Sequence, residues 1–576
     1  MSEWINLVKA FRALCLLPTA YCLLFIGCNP TSKNEQNRSE DSVAIADGKL
    51  LFNRDCSGCH NFTNDGIGPH LAGVVGEVSA EWLRGFIKNP QSVISSGDDR
   101  ASALFASYRA VMPSFAHYTE EDLGNIIAYL STKKDAPAEH NERHPDALDD
   151  PIPQAIPISD IVVSLEEFVQ IPSSGGPPLT TRITKMDYRP DTKDLFILDL
   201  RGKLYRLDND QPKVYMNMAE LRPDFIDTPG MGTGFGSFAF HPEFARNGLL
   251  YTTHTEGPGT DPADFSYEDS LTVTLQWVLT EWKVDNKDAL TFSGKGRELL
   301  RINMLHRFHG VQEIAFNPVS EPGDEDYGLL YIGIGDGGSV EMGYPFLVHS
   351  TSRIWGTIAR IDPLGSNSRN GQYGIPASNP FAGGKDPDVL GEIYAYGFRN
   401  PHRITWTQGG QMLASNIGHH NIESLYLIQP GHDYGWPVRE GSFVMDVPGA
   451  GMRSVFSLPP DDSLYGITYP VAEYDHNEGN AICGGFEYRG KEVPQLKGKY
   501  IFGDIANGRL FFVGMNAIKP GSRARIHEFQ VSINGTAKRF LEIAGDTRVH
   551  LRLGRDAAGE MYLFNKQDGK VFRIKG

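Results

Sequence analysis

The sequence of 576 residues predicts a multidomain protein, a small all-α domain followed by an all-β domain built as a six-bladed propeller. Three observations support this division. A Cys-x-x-Cys-His motif at residues 56–60 is followed by a helix signal that begins at Thr119. A polar stretch containing prolines then separates this part from the rest of the chain. Beyond it, short strand patterns recur with a similar glycine and tyrosine phrase.

Cys56, Cys59 and His60 have the spacing that attaches a c-type haem. Two thiols three residues apart on one helical turn can reach the two vinyl groups of one porphyrin, and the next residue then lies under the metal. The motif predicts that Cys56 and Cys59 bind haem c covalently and that His60 is an iron ligand. A thioredoxin-like or zinc Cys-x-x-Cys is the alternative.

The second iron ligand is predicted to be Met112, for which an ordinary core methionine is the alternative. It precedes a helix with Thr119 as N-cap and acidic residues in the first turn, which ends near Ser131. A thioether opposite a histidine gives a six-coordinate iron suited to outer-sphere electron transfer. Together with the glycine-rich loop at 68–76, these residues resemble the class I cytochromes c. The resemblance covers residues 44–133 and implies a cytochrome c domain there.

The N-terminal 28 residues have the pattern of an export signal. Basic residues precede an apolar run over 13–26, which is too short for a stable membrane span. Cys28 follows and is the predicted lipidation site of a lipoprotein signal peptide at 1–28; an uncleaved anchor is the alternative. Residues 29–43 are polar and are predicted to be a flexible tether. The protein is therefore expected in the bacterial periplasm or outer cell envelope, attached to the membrane by a lipid anchor.

The composition indicates an acidic chain rich in turns, with a net charge of −17, 62 glycines and 36 prolines. This charge argues against a nucleic acid partner, because phosphate binding needs a basic face. Cys483 is the cysteine that the predicted signal, lipid site and haem motif leave over, and it is predicted to be a buried small residue. Residues 134–158 are predicted to be a linker.

Six copies of a strand unit are predicted between residues 159 and 576. A short strand ends at a turn former, a glycine with an apolar–apolar–Tyr phrase follows, and then comes another strand. Such a unit cannot bury both of its faces alone, so six units are expected to stack radially as a six-bladed β-propeller. Two unrelated β-sandwiches are the alternative.

Long insertions separate the strands of several copies, at 255–269, 340–354, 367–391 and 441–465. Loops of this length in a compact domain are usually functional or disordered. On one rim of a propeller they form the mouth of the central channel, so the catalytic site is expected there.

Glycine-rich motifs occur at residues 234–244, 335–338, 397–401, 433–437 and 488–490. Together they resemble the glucose/sorbosone dehydrogenases, soluble quinoprotein propellers that use pyrroloquinoline quinone (PQQ) with calcium. The likeness extends over the whole predicted propeller. It implies a PQQ-dependent sugar or alcohol dehydrogenase.

The resemblance also implies residues that contact the quinone. Arg399 and Asn400 match the family's quinone-contacting pair, and a planar guanidinium suits a carbonyl and carboxylate edge. A blade-end turn held by Arg399 is the alternative. His550 and Arg552 alternate in a strand, so they share one face and are predicted to meet the carboxylates of PQQ. A solvated strand face is the alternative for these two.

Calcium prefers oxygen ligands, often backbone carbonyls of a tight turn. In the matching turn of the family these ligands fall on Gly418 and His419. Asp336 is a further oxygen candidate, or a turn-forming aspartate.

His309 is the predicted catalytic base. It falls where the family keeps the residue that removes the alcohol proton while hydride passes to the quinone. A neutral imidazole near pH 7 is suited to this role. His306 is the alternative, or shares the site.

Three positions depart from the family's glucose enzymes. Phe308 replaces an aspartate, Gly232 a glutamine and Ala506 a lysine. The changes remove polar contacts around the substrate and one cofactor cation. Glucose itself is therefore in doubt as the substrate.

The two domains together predict an exported quinohaemoprotein that oxidises a sugar or other alcohol. The quinone accepts two electrons, and haem c relays them singly to a periplasmic electron acceptor. Fusion in one chain raises the effective concentration of the haem at the quinone. Two alternatives belong to other classes: a propeller that binds carbohydrate or protein without redox chemistry, with an appended cytochrome c, and a calcium-dependent lactonase-like hydrolase.

Overall fold

The computed structural model describes residues 32–57, 60–62, 68–108, 112, 114–134, 144–176, 179–228, 232–445, 452–545 and 549–576. Side chains are described from Ser42 onward, apart from residues 53 and 54. The predicted lipidation site Cys28 and the haem cysteine Cys59 lie outside the described residues. None of the described helices combines the length and the apolar character that crossing a membrane requires.

The described part of the first domain is helical. Its helices are α1 Ser32–Leu51, α2 Val74–Glu77, α3 Ala80–Lys88, α4 Pro90–Ser95, α5 Asp99–Tyr108 and α6 Glu120–Ser131, and a π-helical turn, Phe52–Cys56, follows α1. The segment predicted as a flexible tether is helical from Ser32 on. A polar segment can extend a helix whose later turns pack on a partner, because each added residue gains a backbone hydrogen bond.

Helix α6 confirms the predicted cap and end. The Thr119 hydroxyl accepts a hydrogen bond from the Asp122 N–H at 3.1 Å, and the Asp122 carboxylate accepts one from the Thr119 N–H at 2.9 Å. The buried face of α6 packs on α1. A Cβ at Gly48 would lie 1.9 Å from the carbonyl oxygen of Asn125, so α1 needs glycine where it crosses α6.

The second domain is built mainly from β-strands, with the short helices α7 Met218–Leu221, α8 Phe244–Asn247 and α9 Phe540–Ala544. The strands are β1 Ile158–Gln170, β2 Ile183–Tyr188, β3 Leu195–Asp199, β4 Lys203–Asp208, β5 Gln211–Asn217, β6 Phe235–Phe240, β7 Leu249–Glu256, β8 Leu275–Val284, β9 Gly294–Met304, β10 Glu313–Phe316, β11 Leu330–Ile334, β12 Thr357–Ile361, β13 Ile393–Tyr396, β14 Pro401–Trp406, β15 Met412–Asn416, β16 Ile422–Ile428, β17 Arg439–Glu440, β18 Phe443–Val444, β19 Ala472–Asp475, β20 Phe486–Glu487, β21 Lys499–Gly503, β22 Leu510–Gly514, β23 His527–Ile533, β24 Thr536–Lys538, β25 Leu551–Arg555, β26 Met561–Asn565 and β27 Lys570–Lys575.

Four separate sheets have four antiparallel strands each: β2–β5, β6–β9, β10–β13, and β14–β16 with β19. Their first strands pack side by side, β6 on β10 and β10 on β14, and β2 packs beside β25. Four-stranded sheets arranged in this way around an axis are the blades of a propeller-like domain. The sequence prediction of a propeller is confirmed at this level.

The remaining large sheet has nine strands and joins the two strand groups that the sequence predicts as separate fifth and sixth blades. Strand β1 pairs in parallel with β23 and antiparallel with β27, so both of its edges are occupied. The structure therefore describes four separate blades and one nearly closed sheet. Repeat counting missed this connection because β1 precedes the first predicted copy.

A buried ion cluster lies where the first strands meet. Lys185 of β2 and Arg403 of β14 both pair with Glu313 of β10, at 2.5 and 2.8 Å. Lys185 also donates to the hydroxyl of Ser237 in β6 at 3.1 Å. The cluster thus connects four sheets.

Residues 144–157, the described end of the predicted linker, form a strap along the blade that contains β19. The Leu148 N–H donates to the carbonyl of Val455 at 2.9 Å, and the Ile152 N–H donates to the carboxylate of Asp475 at 3.1 Å. Leu148 and Ile152 also pack in one apolar cluster with Val455. The strap therefore fixes the N-terminal approach to the propeller-like domain.

Asp475 is expected to make attachment of the strap dependent on pH. Burial raises its pKa to about 6, and the Asp150 carboxyl beside it acts in the same direction. Because the folded protein binds this proton more tightly than the unfolded chain does, protonation of Asp475 stabilises the folded state. This stabilisation is complete below the ordinary pKa of 3.8 and is lost as the pH rises through about 6. Asp475→Asn should therefore melt at a higher temperature than the wild type at about pH 8 and lose this dependence, which thermal unfolding from about pH 4 to 8 would measure.

The matched control is the exposed Asp388, whose replacement by asparagine should leave the wild-type profile. An unchanged pH profile in Asp475→Asn would contradict the role given to the Asp475 carboxyl.

Cys483 confirms the prediction of a buried small residue. It is 1% exposed, and burial raises the pKa of its thiol to about 12. A thiol that stays protonated is not a nucleophile.

Candidate functional site

One end of the central channel collects the residues predicted for the propeller site. His309 precedes β10, Arg399 precedes β14, Gly418 follows β15, and His550 precedes β25, in which Arg552 lies. All five are buried. His309, Arg399 and Gly418 thus meet at the ends of neighbouring strands, and Arg552 lies in the adjoining wall.

His309 and Asp336 form a buried hydrogen-bonded pair. The Nδ1 atom of His309 lies 2.7 Å from Oδ1 of Asp336. Asp336 also accepts hydrogen bonds from the Gly338 N–H at 2.9 Å and from the Trp436 indole N–H at 3.0 Å, which fix its orientation. An acceptor at Nδ1 keeps that nitrogen protonated and leaves Nε2 as the basic atom. The pair has the geometry of an oriented general base, a role for Asp336 that the sequence did not predict.

Arg399 is paired with Glu341, which the sequence analysis did not single out. Its guanidinium contacts the Glu341 carboxylate and donates to the carbonyl of Gly418. Nδ1 of His419 lies 3.4 Å from the same carboxylate. Burial opposes ionisation of Glu341, but the charges of Arg399, His309 and His419 outweigh it and hold its pKa well below the usual range. Glu341 lies in the long insertion at 340–354, and this position is the sequence feature that could have indicated its role.

The turn predicted to bind calcium is held by Glu440. Its Oε1 accepts the backbone N–H groups of residues 419–422 at 2.6 to 3.1 Å. A Cβ at Gly418 would lie 1.8 Å from the carbonyl oxygen of Ile422, so glycine is required there. Glu440 and the close approach of Ile422 therefore fix the backbone around Gly418, and with it the direction of the Gly418 carbonyl.

Two carboxylates and an imidazole lie close together at this end of the channel. One ligand atom each from His309, Asp336 and Glu341 lies within 4.8 Å of the others, and all three residues are buried. The two carboxylates are oxygen ligands of the kind that calcium prefers, whereas His309 offers a nitrogen and Glu341 is paired with Arg399.

The channel wall beside these residues is basic. Arg552 and Lys566 line a void of about 10 Å³ together with His402 and Gln312. His402 is buried, and neither ring nitrogen has a hydrogen-bond partner among the described residues. Burial holds its pKa well below the usual range, and Arg552, Arg403 and Lys566 lower it further. The charge of these cations suits carboxylate oxygens such as those of the tricarboxylate PQQ, whereas the void itself has room for about one water molecule.

At two of the positions where this chain differs from the family's glucose enzymes, a nearby side chain carries the same kind of group as the residue that is missing. The Gln312 amide donates to the carbonyl of Gly232 at 2.9 Å, so an amide lies beside this glycine. Ala506 is buried and carries no charge, whereas Lys566 provides a lysine beside Arg552. Sequence reasoning missed Lys566 because no motif surrounds it.

His306 lies apart from the His309–Asp336 pair, beyond Phe308. The Phe308 ring centroid lies 4.4 Å from that of His306 and 5.8 Å from that of His309. Burial lowers the pKa of His306 to about 4, and the charge of Arg307 acts in the same direction. Of the two histidines, His309 has the orienting carboxylate, which favours it as the base.

The described part of the haem motif has the geometry of a proximal ligand. Nδ1 of His60 lies 2.7 Å from the carbonyl oxygen of Pro69, which leaves Nε2 for iron. A Cβ at Gly68 would lie 2.4 Å from the His60 ring, so this loop needs glycine where it covers the ligand. Cys56 and Met112 are half-buried. The residues present fit haem c, and the role of Met112 stays a prediction.

Comparisons with known proteins match both domains. The Glucose / Sorbosone dehydrogenase family model matches residues 181–539, and the Cytochrome c model matches residues 45–134. HIPL1 protein of Arabidopsis thaliana is 28% identical over 325 residues, 49% of this chain and 44% of the relative. Quinoprotein glucose dehydrogenase B of Acinetobacter calcoaceticus is 25% identical over 360 residues, 58% of this chain and 66% of the relative. A crystal structure of glucose dehydrogenase has a TM-score of 0.50 at 16% identity, covering 72% of this chain and 99% of that chain.

The chain belongs to the glucose/sorbosone dehydrogenase family and carries a cytochrome c domain before the family domain. The likeness to the solved glucose dehydrogenase shows a shared fold. The chain spans less than half the length of the HIPL1 relative, 44%.

Proposed function

We propose that this chain is an exported haem-linked dehydrogenase that oxidises a sugar or another alcohol with PQQ and passes the electrons to its own haem c. The observation that supports this most strongly is the buried His309–Asp336 pair, which lies at the same channel end as Arg399 and Arg552. A base and an anion site together are what hydride abstraction from an alcohol requires.

In the proposed reaction, Nε2 of His309 takes the proton of the substrate hydroxyl. The Asp336 carboxylate, 2.7 Å from Nδ1, stabilises the imidazolium that forms. Burial of both side chains keeps water from competing for the proton. Bound PQQ supplies the electrophilic two-electron acceptor that protein side chains lack.

The residues that would hold the quinone are Arg399, Asn400, His550 and Arg552, with Lys566 as a further cation. All of them are buried, so their charges and hydrogen bonds act with little screening by solvent. His402 is available to pair with an acidic group because both of its nitrogens lack partners among the described residues.

Calcium is proposed to bind the carbonyls of Gly418 and His419, with Asp336 as a nearby oxygen donor. The Gly418 carbonyl accepts from Arg399 in the structure, so calcium would replace this guanidinium at the carbonyl. The charge of Glu341 would then be balanced by the ion.

We further infer attachment to the membrane through a lipid on Cys28, in the periplasm or outer cell envelope, and a periplasmic protein as electron acceptor. The signal pattern and the export of other haem c proteins support this location. The nine-stranded sheet is interpreted as a fifth and a sixth blade joined through β1.

The test uses the full chain purified with haem attached and loaded with calcium and PQQ. Anaerobic addition of a panel of aldoses and polyols should reduce the haem, as seen in its absorbance. Bound quinone without haem reduction by any alcohol would favour the binding-module alternative. Ester hydrolysis without haem reduction would favour the lactonase-like alternative.

A further inference from the structure

Arg307 joins the haem-attachment turn to the propeller-like domain. Its Nη2 donates to the hydroxyl of Ser57 at 2.6 Å, across 250 positions of sequence. Ser57 lies between the two predicted haem cysteines, and Arg307 precedes His309 by two residues, a span of at most ~7 Å. Arg307 is 4% exposed and Ser57 is half-buried, so the contact is partly shielded from solvent. The haem-attachment turn therefore lies beside the predicted base.

The side chains next to this contact are aromatic. The Arg307 guanidinium lies 5.9 Å from the Phe308 ring centroid, and this ring contacts both His306 and His309. Phe308 is one of the departures from the family's glucose enzymes. An aromatic ring here provides an apolar surface that packs well against a flat apolar group.

A second contact joins the same two domains. The Arg453 guanidinium lies 5.2 Å from the ring centroid of Tyr108, at the end of α5. Burial lowers the pKa of Arg453 to about 10 and raises that of Tyr108 to about 12. The Arg453 carbonyl accepts from the Asn421 amide at 3.0 Å, and the same amide donates to Glu440 at 2.9 Å. This contact is therefore connected to the turn of the candidate site.

The strap reinforces this arrangement. Its Leu148 bonds to Val455, two residues from Arg453, so the linker is fixed beside the second contact. Because the linker is fixed here, the cytochrome c domain can move only within a small volume near the propeller-like domain. Each of the two contacts is then formed at a high effective concentration.

We propose that residues 306–308 are a docking surface for the chain's own cytochrome c domain, and that Arg307 is the positioning residue that holds the haem-attachment turn over the channel mouth. The docking does not depend on the proposed function, whereas its role in electron transfer rests on it. Each alcohol oxidised to a carbonyl releases two electrons and two protons; the electrons would pass through the bound quinone and singly to a haem held at this turn. The external acceptor reoxidises the haem between the two transfers.

The kinetic test is Arg307→Ala in the loaded full chain. Haem reduction by substrate should slow by about tenfold or more, because the transfer then waits for a domain search. Turnover with a small dye that takes electrons directly from the propeller-like domain should stay at the wild-type rate. Arg307→Lys should recover part of the haem reduction rate. The matched control is Arg525→Ala, at an exposed arginine before β23.

Unchanged haem reduction in Arg307→Ala would overturn the positioning role. An equal loss of dye turnover and haem reduction would also overturn it, because it would indicate damage to the propeller-like domain.

Small-angle scattering tests the docking itself without catalysis. The variant with both Arg307→Ala and Tyr108→Ala should have a larger radius of gyration than the wild type, with an unchanged haem spectrum. An unchanged radius would overturn the docking. If no sugar reduces the haem of the wild type but the variant expands, the proposed function fails and the docking stands.

Discussion

Replacing His309 by glutamine is expected to lower turnover with any accepted sugar by about 10²- to 10⁴-fold, the usual contribution of a positioned general base. Glutamine has a similar volume and keeps a donor for Asp336, but it has no basic nitrogen. Dye-coupled turnover of the PQQ-loaded protein would measure the loss. The haem spectrum should not change, because His309 lies in the other domain.

Two further variants make this result specific. Asp336→Asn should also reduce turnover strongly, because the Nδ1 proton of His309 loses its acceptor at 2.7 Å. His432→Gln is the control, since His432 is exposed and its ring contacts Thr468. Wild-type turnover in His309→Gln would contradict the assignment of His309 as the catalytic base and favour His306 in that role.

Glu313→Gln is expected to have the largest effect on stability, a loss of about 3–5 kcal/mol in the free energy of unfolding. Lys185 and Arg403 both pair with this carboxylate, and side chains of all three are less than a tenth exposed. Glutamine leaves two buried cations without a counter-charge. Thermal and urea unfolding followed by tryptophan fluorescence would report the change in the propeller-like domain.

The control is Glu492→Gln, because Glu492 pairs with Arg573 and Lys575 at the surface. Exposed pairs contribute little, so its unfolding temperature should stay close to the wild-type value. Equal destabilisation by the two substitutions would show that the buried ion cluster around Glu313 has no special role in joining the blades.

The elements with a local signal could be predicted from the sequence. The haem motif needs a fixed spacing of two thiols and a histidine, and the cap at Thr119 needs one hydroxyl followed by acidic residues, so both appear as short patterns. Inner strands with recurring glycine and tyrosine phrases predicted the propeller-like architecture. Of the long insertions, the one at 340–354 contributes Glu341 to the cluster with His309, and that this end of the channel is catalytic stays a prediction.

Features that depend on distant contacts could not be predicted. Glu341 and Lys566 have no motif around them, and their roles come from Arg399 and Arg552, which only the fold brings near. The sequence of the strap predicts a linker, because prolines and charged residues separate its few apolar residues. Pairing of β1 with both β23 and β27 depends on the two ends of the domain meeting, which no local pattern records.

The haem and the oxidising site of one chain are expected to exchange electrons directly. The most direct test is the rate constant of haem reduction after mixing with saturating substrate, measured by stopped flow while the protein is diluted about a hundredfold. An intramolecular step predicts a first-order rate constant that does not change with dilution. A rate constant that falls in proportion to protein concentration, or a haem that stays oxidised, would contradict direct transfer within one chain.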